Sequence, residues 1–258
     1  MIAQFALRLM CGMSLTWCIM PRSKVTSGFF RIQMLVTLGL SVLAALSIGH
    51  LTEDSETAVP LLSQSVSRTL CALAAGISFF GSVMWTLERR IAGAVCCAGV
   101  LACSSCVLLF GFLPGDLLTT SSGILAMLSD LSTSTMLGGC MTTMLLGHWY
   151  LTSPTMSLDP LKTLTFYFGI AVGIRFGLSA TGLGFGWSEI TDSTQVLWLT
   201  LRWLAGVFGP LAVAFMSWRI LRYRNTQSAT GVLFVGVILT FIGELSAALL
   251  FAELGIAL

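Results

Sequence analysis

Charge is the scarcest property of this sequence. Lys, Arg, Asp and Glu make up 9% of its 258 residues, where an ordinary soluble domain carries about a quarter. The net charge of +2 carries no message about nucleic acid, since only the placement of the charges matters, and no nucleic-acid partner is expected. Histidine is nearly absent, with only His50 and His148. The sequence has no HExxH, no Walker loop, no nucleophile elbow and no cysteine-rich cluster motif. No catalytic residues and no metal site are therefore assigned, and an enzyme with its own complete active site is not expected. Period-two alternation of apolar and polar residues is missing as well, which argues against a β-barrel.

What the sequence has instead is apolar length. Hydrophobic residues make up 56% and the mean hydropathy is +0.93. Stretches long enough to cross about 30 Å of hydrocarbon recur at about 4–20, 30–50, 69–87, 91–113, 132–152, 162–183, 195–218 and 231–256. The expected fold is all-α: a polytopic membrane protein of eight transmembrane helices, forming a single domain over 1–258. The first stretch lacks the basic start and the small-residue cleavage site of a signal peptide, and reads as a true helix. Pro21, Pro60, Pro114, Pro154 and Pro160 fall at the joints, whereas Pro210 lies inside the seventh span and should kink it. Eight cysteines lie mostly within the spans, where they read as small apolar residues rather than a disulfide or metal framework.

The joints alternate in charge. Arg22 and Lys24 follow span one, Arg89 and Arg90 span three, Lys162 span five, and Arg219, Arg222 and Arg224 span seven. The intervening joints carry Glu53, Asp54 and Glu56, with Arg68 at the far end as the one exception, then Asp116 and Asp130, then Glu189 and Asp192. Cytoplasmic loops collect Lys and Arg, so both termini are expected outside, in the periplasm of a bacterial inner membrane. Two outer loops, about 50–68 and 114–131, are rich in Ser, Thr and acidic residues.

Ionisable groups inside spans are costly and mark candidate sites. His50 falls near the outer surface and His148 near the inner one. On the order of 20–30 Å should separate them along the normal, which argues against a bis-histidine haem within the membrane. A haem shared with a partner subunit stays open. Arg175 and Glu244 fall at one depth near mid-membrane. Their opposite charges offset each other's desolvation, so they are expected to pair as a proton relay or a structural ion pair. Arg202 and Arg8 fall in the outer parts of spans seven and one. Basic groups and an imidazole toward one face suit a quinone headgroup, which needs donors at its carbonyls and apolar walls for its tail.

The last quarter joins these features. A long apolar span ends in Arg219-Ile-Leu-Arg222-Tyr-Arg224. A polar hinge, Asn225 to Gly231, follows, and its Ser and Thr can cap the last helix. That helix carries Gly243-Glu244-Leu245. With Gly49-His50-Leu51 at the end of span two and Arg202 in span seven, this layout resembles the eight-helix, both-ends-out anchors of bacterial molybdopterin oxidoreductases. Those are the DMSO-reductase-type anchors and, more distantly, the NrfD/PsrC-type quinol subunits. After His50 the sequence continues Leu-Thr-Glu-Asp, where the anchor has Gly-Ser-Pro. The resemblance implies quinone binding at His50, Arg202 and Glu244, with menaquinone or ubiquinone as ligand. It also implies membrane lipids and a periplasmic iron–sulfur or cytochrome subunit as partners. Two other readings fit the same pattern: a structural subunit of a respiratory or photosynthetic assembly, and a transporter or proton conductor working through Arg175 and Glu244.

Overall fold

The structure, a computed structural model, describes residues 1–48, 61–112, 121–153, 156–186 and 192–254. Among these, all regular structure is helical: α1 (Ile2–Ile19), α2 (Ser27–Ser47), α3 (Gln64–Thr86), α4 (Arg90–Phe110), α5 (Ser121–Thr152), α6 (Asp159–Gly186), α7 (Ser193–Trp203), α8 (Gly209–Arg222) and α9 (Thr226–Leu254), with one 3-10 turn at Arg22–Lys24. A π-helical segment, Leu204–Phe208, joins α7 to α8. The described residues give eight helices long and apolar enough to cross a membrane, α7 through α8 counting as one.

A helix is the natural state for such a chain, because lipid offers the backbone no hydrogen bonds and the helix satisfies its own. The many Ser and Thr do not interrupt it. Their hydroxyls bond back one turn: Ser14 to the Met10 carbonyl at 2.8 Å, Ser41 to Thr37 at 2.7 Å, Thr143 to Gly139 at 2.6 Å and Thr165 to Leu161 at 2.8 Å. These groups therefore enter the membrane already bonded. Two turns are closed by non-glycine residues in the left-handed region, Glu88 (φ 56°) after α3 and Arg224 (φ 58°) after α8, each ending a helix in the conformation usual just past a C-terminus.

The chain divides into two compact units, 1–130 and 131–258. In the first, α1 packs on α2 and α4, and α3 packs on the same two helices, which closes a ring of four. Its interior holds Trp17, Phe29, Phe30 and Trp85. Phe30 and Trp85 stack with centroids 4.3 Å apart. Gly93 makes room for this pair, since a Cβ there would meet the Trp85 ring at 2.6 Å. In the second unit, α9 packs against α7, the π segment and α8, and α6 packs against α8.

Two expectations need correction. The segment before residue 132 is not all loop: α5 starts at Ser121, and Asp130 is a buried helix residue ion-paired with Arg8 of α1. Ser129 and Asp130 resemble a loop in sequence, but polar side chains fit a helix where they find a partner, as Asp130 does in Arg8, or bond back to it, as Thr135 does by donating to the Ser132 carbonyl at 2.8 Å. The hinge after span seven is likewise helical from Thr226. Its cap is Asn225 rather than a Ser or Thr, and the Asn225 Oδ1 accepts from the Ser228 N–H at 3.0 Å.

Candidate functional site

The second unit buries three charged side chains together. Arg202, from the end of α7, is fully buried; Arg175 of α6 is 3% exposed and Glu244 of α9 is 2% exposed. Arg202 Nη1 donates to Glu244 Oε1 at 2.7 Å, and Nη2 donates to the Ser179 hydroxyl at 3.0 Å. Arg175 Nε stands 3.5 Å from the same carboxylate oxygen, and its Nη1 donates to the Ser132 hydroxyl at 3.4 Å. One carboxylate thus faces two guanidiniums, and serines on α6 and α5 take further N–H groups. Buried charges demand this kind of compensation, because an unpaired one is expensive in a low-dielectric interior.

The helices bring these groups to one level although their spans run in alternate directions. Arg175 and Glu244 lie about two-thirds of the way along Asp159–Gly184 and Thr226–Glu253, and Arg202 about one-third along Ser193–Arg222. Arg175 and Glu244 do approach each other, as their spacing implies. The tighter partner of Glu244, however, is Arg202, expected in the outer part of span seven rather than at the depth of that pair. Ser179 and Ser132 carried no signal of their own, since a serine in an apolar helix usually bonds only its own backbone.

A local break in the helix and a close approach of two backbones set this geometry. Two residues after Arg202 the backbone widens into the π segment, where the Gly209 N–H reaches back five residues to the Leu204 carbonyl. Pro210 accounts for the widening: it has no N–H to give, and its ring would strike the carbonyl four residues earlier in a regular helix. The wide turn presents Gly206 to α9. A Cβ on Gly206 would lie 2.8 Å from the Gly243 Cα and 2.8 Å from Arg202 Nη1. Two glycines therefore let α7 and α9 come close enough for Arg202 to reach Glu244, the small-residue packing that membrane helices favour.

Beside the cluster lies an open-sided cavity of about 450 Å³ lined by Leu183, Leu199, Thr200, Trp203 and Leu204. Leu183 is one turn beyond Ser179 on α6, and Leu199 one turn before Arg202 on α7, so the cavity begins about 5–6 Å along the helices from the ion cluster. Its walls are apolar, and Leu199 packs with Leu250, Leu183 and Trp203. Two buried N–H donors, Arg202 Nε and Nε1 of the cavity-lining Trp203, have no hydrogen-bond partner among the described residues.

The other sequence candidates lie elsewhere. His50 falls outside the described residues. His148 is exposed near the end of α5, edge-on to Phe234 with centroids 6.3 Å apart. Arg8 belongs to the first unit, bonded to Asp130. The eight cysteines are free, and the described residues hold no group of three or more His, Cys, Asp or Glu placed to bind a metal ion. No protein-family model, curated protein or solved structure matches this chain.

Proposed function

We propose that this chain is an integral membrane subunit of a multi-subunit redox complex, anchoring an electron-transfer partner and holding a quinone or quinol beside the Arg202–Glu244 cluster. One observation carries the reading: a fully buried guanidinium with an unspent Nε–H stands one helical turn from an apolar, open-sided cavity. A quinone headgroup accepts hydrogen bonds at its carbonyls, and its ring and tail need apolar walls open to lipid. Trp203, which lines the cavity, and Arg202, next to it in the chain, carry the N–H donors, and Leu183, Leu199 and Leu204 offer the walls. Bound there, a quinone supplies two-electron, two-proton chemistry. The chain's own groups orient and hold it: Arg202 is fixed by Glu244 and Ser179, and Arg175 approaches the same oxygen of the carboxylate. The resemblance to the anchor family adds His50, which lies outside the described residues, as an expected proton partner. The charge alternation of the joints supports a bacterial inner membrane with both termini periplasmic, and a periplasmic iron–sulfur or cytochrome partner.

The test is quinone extraction and an optical spectrum on the complex isolated through this chain in mild detergent, followed by quinol oxidation in Trp203→Phe and His50→Ala. Bound quinone, redox partners in the preparation, and impaired quinol oxidation with normal assembly support the reading. A colourless, quinone-free protein without partners overturns it.

A structural subunit is the second reading, favoured by the ion pairing of Glu244 with both arginines. It predicts that Arg202 and Glu244 variants change stability alone and leave quinol oxidation by the assembled complex unaltered.

A further inference from the structure

The first unit carries a groove that the redox reading does not use. It lies where α1 ends and α4 begins, has a volume of about 530 Å³, and presents Arg22 and Arg90 at one end. Its floor along α4 is Ile91, Ala94, Val95 and Ala98. These positions recur at i, i+3, i+4 and i+7, so they form one stripe on one helix face. Two of the four are alanines, which leaves a trough rather than a ridge. The stripe faces outward: Ile91 is 84% exposed and Val95 66% exposed. Trp85, buried at the end of α3, also lines the groove.

The basic end is built rather than scattered. Arg90 Nη1 donates to the carbonyls of Arg22 and Ser23, each at 3.4 Å, which holds its guanidinium over the turn that follows α1. Neither Arg22 nor Arg90 pairs with a carboxylate among the described residues. In sequence the corner carries Arg22, Lys24, Arg89 and Arg90 against the single acid Glu88. Both arginines stand at span edges, where α1 stops at Ile19 and α4 starts at Arg90. Phosphate headgroups lie at this level of a bilayer.

We infer that this groove is a binding site for an anionic phospholipid, with the phosphate held between Arg22 and Arg90 and an acyl chain laid along the Ile91–Ala98 stripe. Two cations at the water boundary above an apolar trough match an amphipathic anion end to end. Basic pockets between transmembrane helices recognise anionic headgroups in this way. The inference rests on the first unit alone and holds whether or not the chain binds a quinone.

Native mass spectrometry of the full chain, released from detergent after incubation with phosphatidylglycerol or phosphatidylcholine, tests it. The wild-type chain is expected to retain phosphatidylglycerol in preference to phosphatidylcholine. That preference should fall about fivefold with Arg22→Gln and about thirtyfold with Arg22→Gln/Arg90→Gln. Arg22→Lys/Arg90→Lys should keep most of it, which separates loss of charge from loss of fold. Ala94→Leu/Ala98→Leu fills the trough with the charges intact and should weaken phosphatidylglycerol retention. Equal retention of the two lipids by the wild-type chain overturns the inference. So does an unchanged preference in the glutamine variants. Competition by inorganic phosphate, with no effect of Ala94→Leu/Ala98→Leu, also overturns it, because the site then reads a free anion and not a lipid.

Discussion

The backbone of Gly206 lies against that of Gly243, with no side chain between them, one residue from the carboxylate of Glu244. A Cβ on Gly206 would stand 2.8 Å from the Gly243 Cα, and a Cβ on Gly243 would strike the Gly206 backbone. The contact is the fulcrum of the second unit, because it sets the separation at which Arg202 reaches across to Glu244.

Gly243→Ala should therefore lose stability and weaken the Arg202–Glu244 bond together, since neither backbone can yield without moving its helix. A loss of about 1–3 kcal/mol is expected. Gly39→Ala, on an exposed face of α2 with nothing within 4 Å of the added carbon, should instead gain about 0.5–1 kcal/mol. Thermal unfolding of both variants in detergent checks the contrast, and equal shifts would show that the glycine contact does not limit the packing.

Glu244 is the carboxylate that two guanidiniums address. Glu244→Gln should destabilise the chain by about 3–5 kcal/mol, because it leaves Arg202 and Arg175 buried beside a neutral group. Arg202→Met should cost a similar amount. The double variant should cost less than the sum, with a coupling of about 1–3 kcal/mol. Reversible unfolding in mixed micelles measures the cycle, and strict additivity would mean that the 2.7 Å bond contributes nothing.

Pro210 is expected to hold the π segment open. In Pro210→Ala the restored N–H allows a regular helix, which turns Arg202 away from α9. The coupling between Arg202 and Glu244 should shrink in this background although Ala is the better helix former. Repeating the cycle in the Pro210→Ala chain tests this, and an unchanged coupling would place the cause of the π turn elsewhere.

Arg8 and Asp130 join α1 to the first turns of α5, with side chains 19% and 11% exposed. Arg8→Ala and Asp130→Ala should each cost about 1–2 kcal/mol, less than a fully buried pair because water still reaches both groups. The swapped pair Arg8→Asp/Asp130→Arg should recover part of that loss, as read by the same unfolding assay. A swap as damaging as the two single variants combined would show that position, not charge, is what matters.

The cysteines offer a check on packing. All eight are free, with Cys18 and Cys106 half-buried and Cys97 and Cys140 fully buried. Maleimide labelling in detergent should reach Cys18 and Cys106 well before Cys97 and Cys140, and non-reducing electrophoresis should show no disulfide-linked species.

The sequence by itself determined the class of this protein. Eight apolar stretches and 9% charge admit only helices in lipid, because a single span must satisfy its own backbone. It also picked out Arg175, Arg202 and Glu244, because a charge in an apolar run stands out whatever the fold does around it. What the sequence could not fix is which charges meet. Arg175 and Glu244 share a depth, which marks them as a pair in sequence, but depth is one coordinate and contact needs three. The π segment before Pro210 and the bare backbones of Gly206 and Gly243 decide that Arg202 is the closer partner of Glu244. They are properties of two helices facing each other and leave no mark in either helix alone. Asp130 makes the same point from the other side. In sequence it belongs to a polar run that reads as loop; only the arrival of Arg8, more than a hundred residues away, lets it be buried in a helix.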